Sequence, residues 1–150
     1  PLTGLANRYA FNLRFEAILE SNDAPLANGI QVAMIDLDGL KAVNDEEGHA
    51  RGDALLCAVA EGLRCIDVAH AEVYRLGGDE FAVLLLAGDE VSKQRLSREL
   101  QRVEAEVRAQ GFPQSGLSFG IATSERAVPT SKHVAQLLEL ADQRMYDHKA

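Results

Sequence analysis

Two short apolar runs, Glu72 to Leu76 and Phe81 to Leu86, are separated only by Gly77-Gly78-Asp79-Glu80. Two glycines in so short a connection predict a β-hairpin, since they supply backbone conformations that side chains oppose. A third run, Ile30 to Leu37, is short and apolar on both faces, as a central strand would be. It ends on Asp36-Leu37-Asp38. A central strand and a tight hairpin, each ending in acids, constrain the fold more than any other feature of the chain.

Helical periodicity fills the intervals. Asn7 caps a predicted first helix running to about Asn22, with Phe11, Phe15, Ile18 and Leu19 inward. The stretch from Asp23 to Gly29, with Pro25, reads as a loop. Gly48 and Gly52 punctuate the segment after the first strand, and Leu55, Leu56, Val59, Leu63 and Ile66 mark a helix beyond them. Leu96, Leu100, Val103 and Val107 line a long helix ending at Gly111. Leu117, Phe119 and Ile121 alternate as a strand, and Thr130 or Ser131 caps a last helix carrying Val134, Leu138, Ala141 and Met145. The order, helix then β-α-α-β-β-α-β-α, predicts an α+β fold of ferredoxin-like type, a mostly antiparallel central sheet flanked by helices.

The chain of 150 residues is expected to be one domain, and its 23 acidic against 15 basic side chains give a net charge of −8. That balance argues against a nucleic-acid binder or direct contact with an anionic membrane, both of which reward clustered Lys and Arg. No apolar run approaches the ~20 residues that span a bilayer. Cys57 and Cys65 lie about 12 Å apart if helical, too far for a disulfide. They read as small core hydrophobes of a cytoplasmic protein. The sequence begins at Pro1, and is expected to be a domain cut from a longer chain whose upstream part holds a sensor or regulatory module and is a possible membrane anchor.

Asp36 and the hairpin acids Asp79 and Glu80 converge if their strands are neighbours. Three carboxylates together repel and raise one another's pKa unless a cation holds them. Hard oxygen ligands favour Mg²⁺ or Mn²⁺, the requirement of two-metal phosphoryl or nucleotidyl transfer. Solvated turn acids are the plain alternative, and for Asp38 capping of the next helix is the preferred reading. Lys41 suits a phosphate, and Asn44 with Asp53 has the donors and acceptors to read a guanine edge.

Arg75-Leu76-Gly77-Gly78-Asp79-Glu80-Phe81 resembles the signature of the GGDEF domain, the diguanylate cyclase family. Leu2 to Arg8 resembles its LTGLxNR opening. Asp36 to Asp45 resembles DxDxFKxxND, with Leu40 where Phe is usual, and Gly48 to Asp53 resembles GHxxGD. Ser118 to Ala122 resembles SxGxA, and Ala141 to Lys149 resembles ADxAMYxAK. The blocks stand in family order from Leu2 to Lys149.

The resemblance implies a nucleotidyl-cyclase palm fold and condensation of two GTP into cyclic di-GMP, with two pyrophosphates released across a homodimer. It implies two Mg²⁺ per site, held by the carboxylates of Asp36 and Asp79 and the Leu37 carbonyl, with Glu80 a further metal ligand or the group that helps to deprotonate the attacking 3′-hydroxyl. Substrate contacts carried over are Lys41 and Lys149 on phosphate, Asn44 and Asp53 on guanine, and Leu40 beside them. A catalytically silent GTP-binding module is the alternative. Val68 and Ala71 stand where a product-inhibition RxxD would be, so that site is expected to be absent. Arg144 and His148 replace small residues of the last block, on what reads as its exposed face. Arg75 is expected to brace the hairpin, and Tyr146 and Met145 to pack.

Overall fold

The computed structural model describes residues 2–20, 29–124 and 131–149. In chain order they form α1 (Arg8–Glu20), β1 (Ile30–Asp38), α2 (Leu40–Glu47), α3 (His49–Arg64), β2 (Glu72–Gly77), β3 (Glu80–Leu85), α4 (Glu90–Ala109), β4 (Gly116–Ser124) and α5 (Ser131–Lys149). The expected α1 terminus at Asn22, the loop from Asp23 and the cap at Thr130 lie outside the described residues, as do the side chains of Leu19, Ser131 and Val134.

The four strands form one antiparallel sheet in the order β2-β3-β1-β4. The predicted α+β architecture is therefore observed. Strand residues alternate between faces, and the sheet divides the apolar side chains into two cores. Ala33, Ile35 and Leu37 of β1 with Phe81, Val83 and Leu85 of β3 meet Leu55, Val59 and Leu63 of α3 and Leu96, Leu100 and Val103 of α4. Val32, Met34, Ala82 and Leu84 meet Phe11, Phe15 and Ile18 of α1 and Leu137 and Ala141 of α5. Burial on both faces is why Ile30 to Leu37 carries apolar residues on both faces.

Local signals account for the ends of several elements. Asn7 caps α1, its Oδ1 accepting from Ala10 N at 2.9 Å. The predicted hairpin is present: Gly77 and Gly78, at φ 149° and 48°, carry the turn, and a bulge falls between Arg75 and Gly77. Arg75 braces it as expected, donating from Nη2 to Gly78 O at 2.9 Å.

Four expectations change. Cys57 is half-buried and Cys65 exposed, because the inward stripe of α3 passes through Leu55, Leu56, Val59 and Leu63 and leaves both cysteines off it. Leu137 rather than Leu138 is the fully buried leucine of α5. Asp38 does not cap α2; Gly39 holds that position, and Asp38 Oδ2 accepts from Ser118 Oγ at 2.6 Å. Tyr146 is 67% exposed, whereas Met145 packs against the second core. No helix among the described residues is long and apolar enough to cross a membrane.

Candidate functional site

The central strands β1 and β3 deliver acids to one end of the sheet. Asp36 stands opposite Glu80 in the β1–β3 register. The hairpin tip is sewn to β1 by Leu37 N donating to Asp79 O at 2.8 Å. This backbone bond sets Asp79 beside Asp36. Burial, then the charge and hydrogen bonding of the neighbouring Asp36 carboxylate, push the Asp79 pKa above the usual carboxylate range. Lys149, at the end of α5, pairs with Asp36 and lies 3.7 Å from Asp38 Oδ1. Its own pKa is raised, first by the hydrogen bond to Asp36 and then by the charges of Asp36, Asp38 and Asp79.

Asp36 is the most enclosed of these acids, with a side chain 13% exposed. Its Oδ1 is buried and has no hydrogen-bond partner. A buried carboxylate oxygen left unsatisfied costs free energy, and a hard cation is a ligand that would relieve it. Asp36 and Asp79 are therefore suited to a divalent ion. Glu80 is turned elsewhere: Arg8 of α1 donates from Nη2 to Glu80 Oε2 at 3.3 Å and from Nε to Leu76 O at 3.4 Å. Among the described residues no three His, Cys, Asp or Glu side chains form a ready cation cage.

The second group of predicted residues lies on the α2–α3 elbow. Lys41 and Asp53 are exposed, and Asn44 is half-buried. Asn44 and Asp53 are brought to the same elbow by Gly52: a Cβ there would stand 1.7 Å from Asn44 Oδ1, so only glycine leaves room for that amide. Leu40 is half-buried against the α3–α4 core, an anchor for the start of α2. A cavity of about 340 Å³ opens on another side of α2, lined by Val43, Glu46, Phe112 and Ser115. None of the predicted site residues lines it, so the candidate site is an open surface at the sheet end.

Three participants escape sequence reasoning. Arg8 is visible only as part of the opening block, with nothing to show that it reaches Glu80. Arg144 and His148 are exposed on α5 as expected, and their side chains also reach β4: Arg144 Nη1 donates to Ile121 O, and Phe119 N donates to His148 Nδ1 at 2.9 Å.

Comparison with known proteins agrees with this geometry. The family described as "Diguanylate cyclase, GGDEF domain" matches residues 1–150. Diguanylate cyclase DgcN of Escherichia coli K12 is 33% identical over 99% of this chain and 36% of its own length. Diguanylate cyclase DgcP of the same organism is 33% identical over 99% of this chain and 43% of its own length. The chain thus spans less than half of either relative. Diguanylate cyclase SiaD of Pseudomonas aeruginosa, solved with its activator SiaC, superposes with a TM-score of 0.78 at 27% identity, covering 99% of this chain and 56% of that one. The GGDEF domain of FimX from Pseudomonas aeruginosa gives a TM-score of 0.80 at 25% identity over 99% and 91% of the two chains. With the signature hairpin, the sheet order and the acid pair all in place, the chain belongs to the diguanylate cyclase GGDEF domain family.

Proposed function

We propose that this domain condenses two GTP into cyclic di-GMP. The observation that carries the reading is the Asp36–Asp79 carboxyl pair with the unpartnered Asp36 Oδ1. These two acids, with the Leu37 carbonyl and Glu80, would hold two Mg²⁺, or Mn²⁺ in its place. When bound, the metal lowers the pKa of a coordinated hydroxyl and neutralises charge on the phosphates.

The chain's own groups do the rest. The Asn44 amide and the Asp53 carboxylate recognise guanine, the carboxylate accepting from N1–H and the exocyclic amine. Adenine presents an acceptor at N1, which leaves Asp53 unpaired and disfavours ATP. Lys41 and Lys149 take up phosphate charge, and Leu40 seats the start of α2 beside them. Glu80, steadied by Arg8, accepts the proton of the attacking 3′-hydroxyl. That oxygen bonds to the α-phosphorus of the second GTP, the bond to the β-phosphate oxygen breaks, and pyrophosphate leaves with the electron pair. A second identical attack closes the ring.

One chain presents one such surface, so turnover requires two copies facing each other. The signal that brings them together would come from a part of the protein beyond this domain, with the domain itself in the cytoplasm and touching neither nucleic acid nor membrane. Val68 and Ala71 leave no RxxD product-inhibition site.

Incubation with GTP and Mg²⁺, as the isolated domain and fused to a dimerising segment, tests the reading. Chromatography is expected to resolve a cyclic dinucleotide and two equivalents of pyrophosphate. GTP binding without product in the forced dimer would overturn turnover and leave a silent GTP-binding module.

A further inference from the structure

Helix ends fray unless something ties them down, yet Lys149, the last described residue of α5, is held in ion pairs with Asp36 and Asp38. What ties it down lies on β4. This strand is at the edge of the sheet, so one row of its backbone groups has no strand partner. Helix α5 packs on the sheet face that carries Met34 and Ala122, and its side chains reach that row. The approach is closest at Gly120, where a Cβ would stand 2.2 Å from Met145 N and 2.3 Å from Ala141 O.

Two side chains of α5, one turn apart, then take the backbone groups on either side of Gly120. Phe119 N donates to His148 Nδ1 at 2.9 Å, and the same ring nitrogen lies 3.2 Å from Phe119 O. The imidazole also stands edge-on to the Phe119 ring, with centroids 4.9 Å apart and planes at 86°. Arg144 Nη1 donates to Ile121 O at 2.5 Å. Phe119 and Ile121 are alternate residues, so their outward groups share one edge of the strand.

We propose that Arg144 and His148 are positioning residues for Lys149. By occupying the free edge of β4 they fix the last turn of α5, and the next side chain along, Lys149, is delivered to Asp36 and Asp38. Packing at Gly120 sets how close the helix lies. The two polar contacts set where along the strand it stops, because Arg144 meets Ile121 and His148 meets Phe119, one strand residue each. That Lys149 meets a phosphate belongs to the function proposed above, on which this inference rests; that its placement depends on Arg144 and His148 is separate.

The experiment compares the intact domain with Arg144→Ala/His148→Ala, Lys149→Ala and the triple variant, adding His148→Gln as a side chain that keeps an acceptor. Amide hydrogen exchange reads residues 119 and 145–149, and calorimetric titration with GTP and Mg²⁺ reads binding. The double variant is expected to speed exchange at those amides roughly tenfold, the scale of one lost hydrogen bond, while Leu137 to Ala141 stay protected. Its GTP affinity is expected to fall by about fivefold, with little further loss on the Lys149→Ala background, since the two routes are one. His148→Gln retains most of both. Unchanged exchange overturns the proposal, and so does faster exchange with unchanged affinity, or a loss that adds in full to that of Lys149→Ala. If Lys149→Ala alone leaves GTP binding intact, the phosphate role of Lys149 in the proposed function is what fails.

Discussion

The amide of Asn44 occupies the space that a methyl group on residue 52 would fill, its Oδ1 lying 1.7 Å from that point. Asn44 belongs to α2 and Gly52 to α3, so the missing side chain of one helix seats a functional group of the other. Alanine is favoured over glycine in a helix by about 1 kcal/mol. Gly52→Ala is therefore expected to leave the thermal midpoint nearly unchanged, because the displaced amide is a side chain that can rotate away. GTP affinity should fall at least tenfold, about 1.4 kcal/mol, as Asn44 leaves its seat. Titration calorimetry beside a melting curve checks both halves. Full affinity in Gly52→Ala would detach Asn44 placement from nucleotide binding.

Asp79→Asn separates folding from chemistry at the acid pair. The raised Asp79 pKa means that the folded state favours the protonated carboxyl, so its stability contribution is present at low pH and lost as pH rises through that pKa. At neutral pH the ionised pair costs stability that Lys149 only partly offsets. The neutral amide removes the like charge, and the melting temperature at neutral pH should hold or rise. Cyclic dinucleotide formation should fall at least about a hundredfold, the scale of losing one preorganised electrostatic group. A variant that melts early and keeps activity would contradict both expectations.

These two sites show what a sequence can disclose. Period-2 and period-3.6 patterns locate β1, the hairpin and all four buried positions of α4, because burial on a regular element is a local property. The acids are legible for the same reason: each stands at or near a strand end, and the register of β1 on β3 converts that into proximity. Contacts across elements were not legible. Arg8 reaches Glu80 over 72 residues of sequence, and His148 meets Phe119 only because β4 is an edge strand. Helical periodicity also leaves an uncertainty of one position, which is why Leu138 was expected where Leu137 is buried, and why Cys57 was assigned to a core that the α3 stripe misses.

Tyr74 predicts an alkaline limit to stability. It is buried beneath α1, edge-on to Phe11 with centroids 5.1 Å apart, and its hydroxyl donates to Glu72 Oε1 at 2.9 Å. Burial, followed by the hydrogen bond and charge of Glu72, pushes its pKa from 10.0 up to about 12. The folded state therefore binds the phenol proton more tightly than the unfolded chain does. That contribution, roughly 2–3 kcal/mol, is complete below pH 10.0 and is lost as pH rises toward 12. Chemical denaturation between these limits should show stability falling in the intact domain. Tyr74→Phe should flatten that part of the curve, at the cost of about 1 kcal/mol at neutral pH for the hydrogen bond. Parallel curves for the two proteins would rule Tyr74 out as the source.

Gly120→Ala is the counterpart of Gly52→Ala, with the opposite signature. Here the atoms in the way are Met145 N at 2.2 Å and Ala141 O at 2.3 Å, both backbone and both in the middle of a helix. No rotamer change can relieve them, so α5 must lift from β4 as a body. Overpacking of this kind costs typically 1–3 kcal/mol and more where backbone must move. At about 2–4 °C per kcal/mol for a chain of this size, the melting temperature should drop by several degrees. Lifting α5 also withdraws Lys149 from Asp36, so GTP affinity should fall together with stability. The pair of variants thus distinguishes two uses of glycine: at 52 it makes room for a side chain that binds, and at 120 it lets a helix reach the sheet. A melting curve for Gly120→Ala that superposes on the intact domain would show that α5 can lie farther from β4 without loss, and that the close approach is not what holds it.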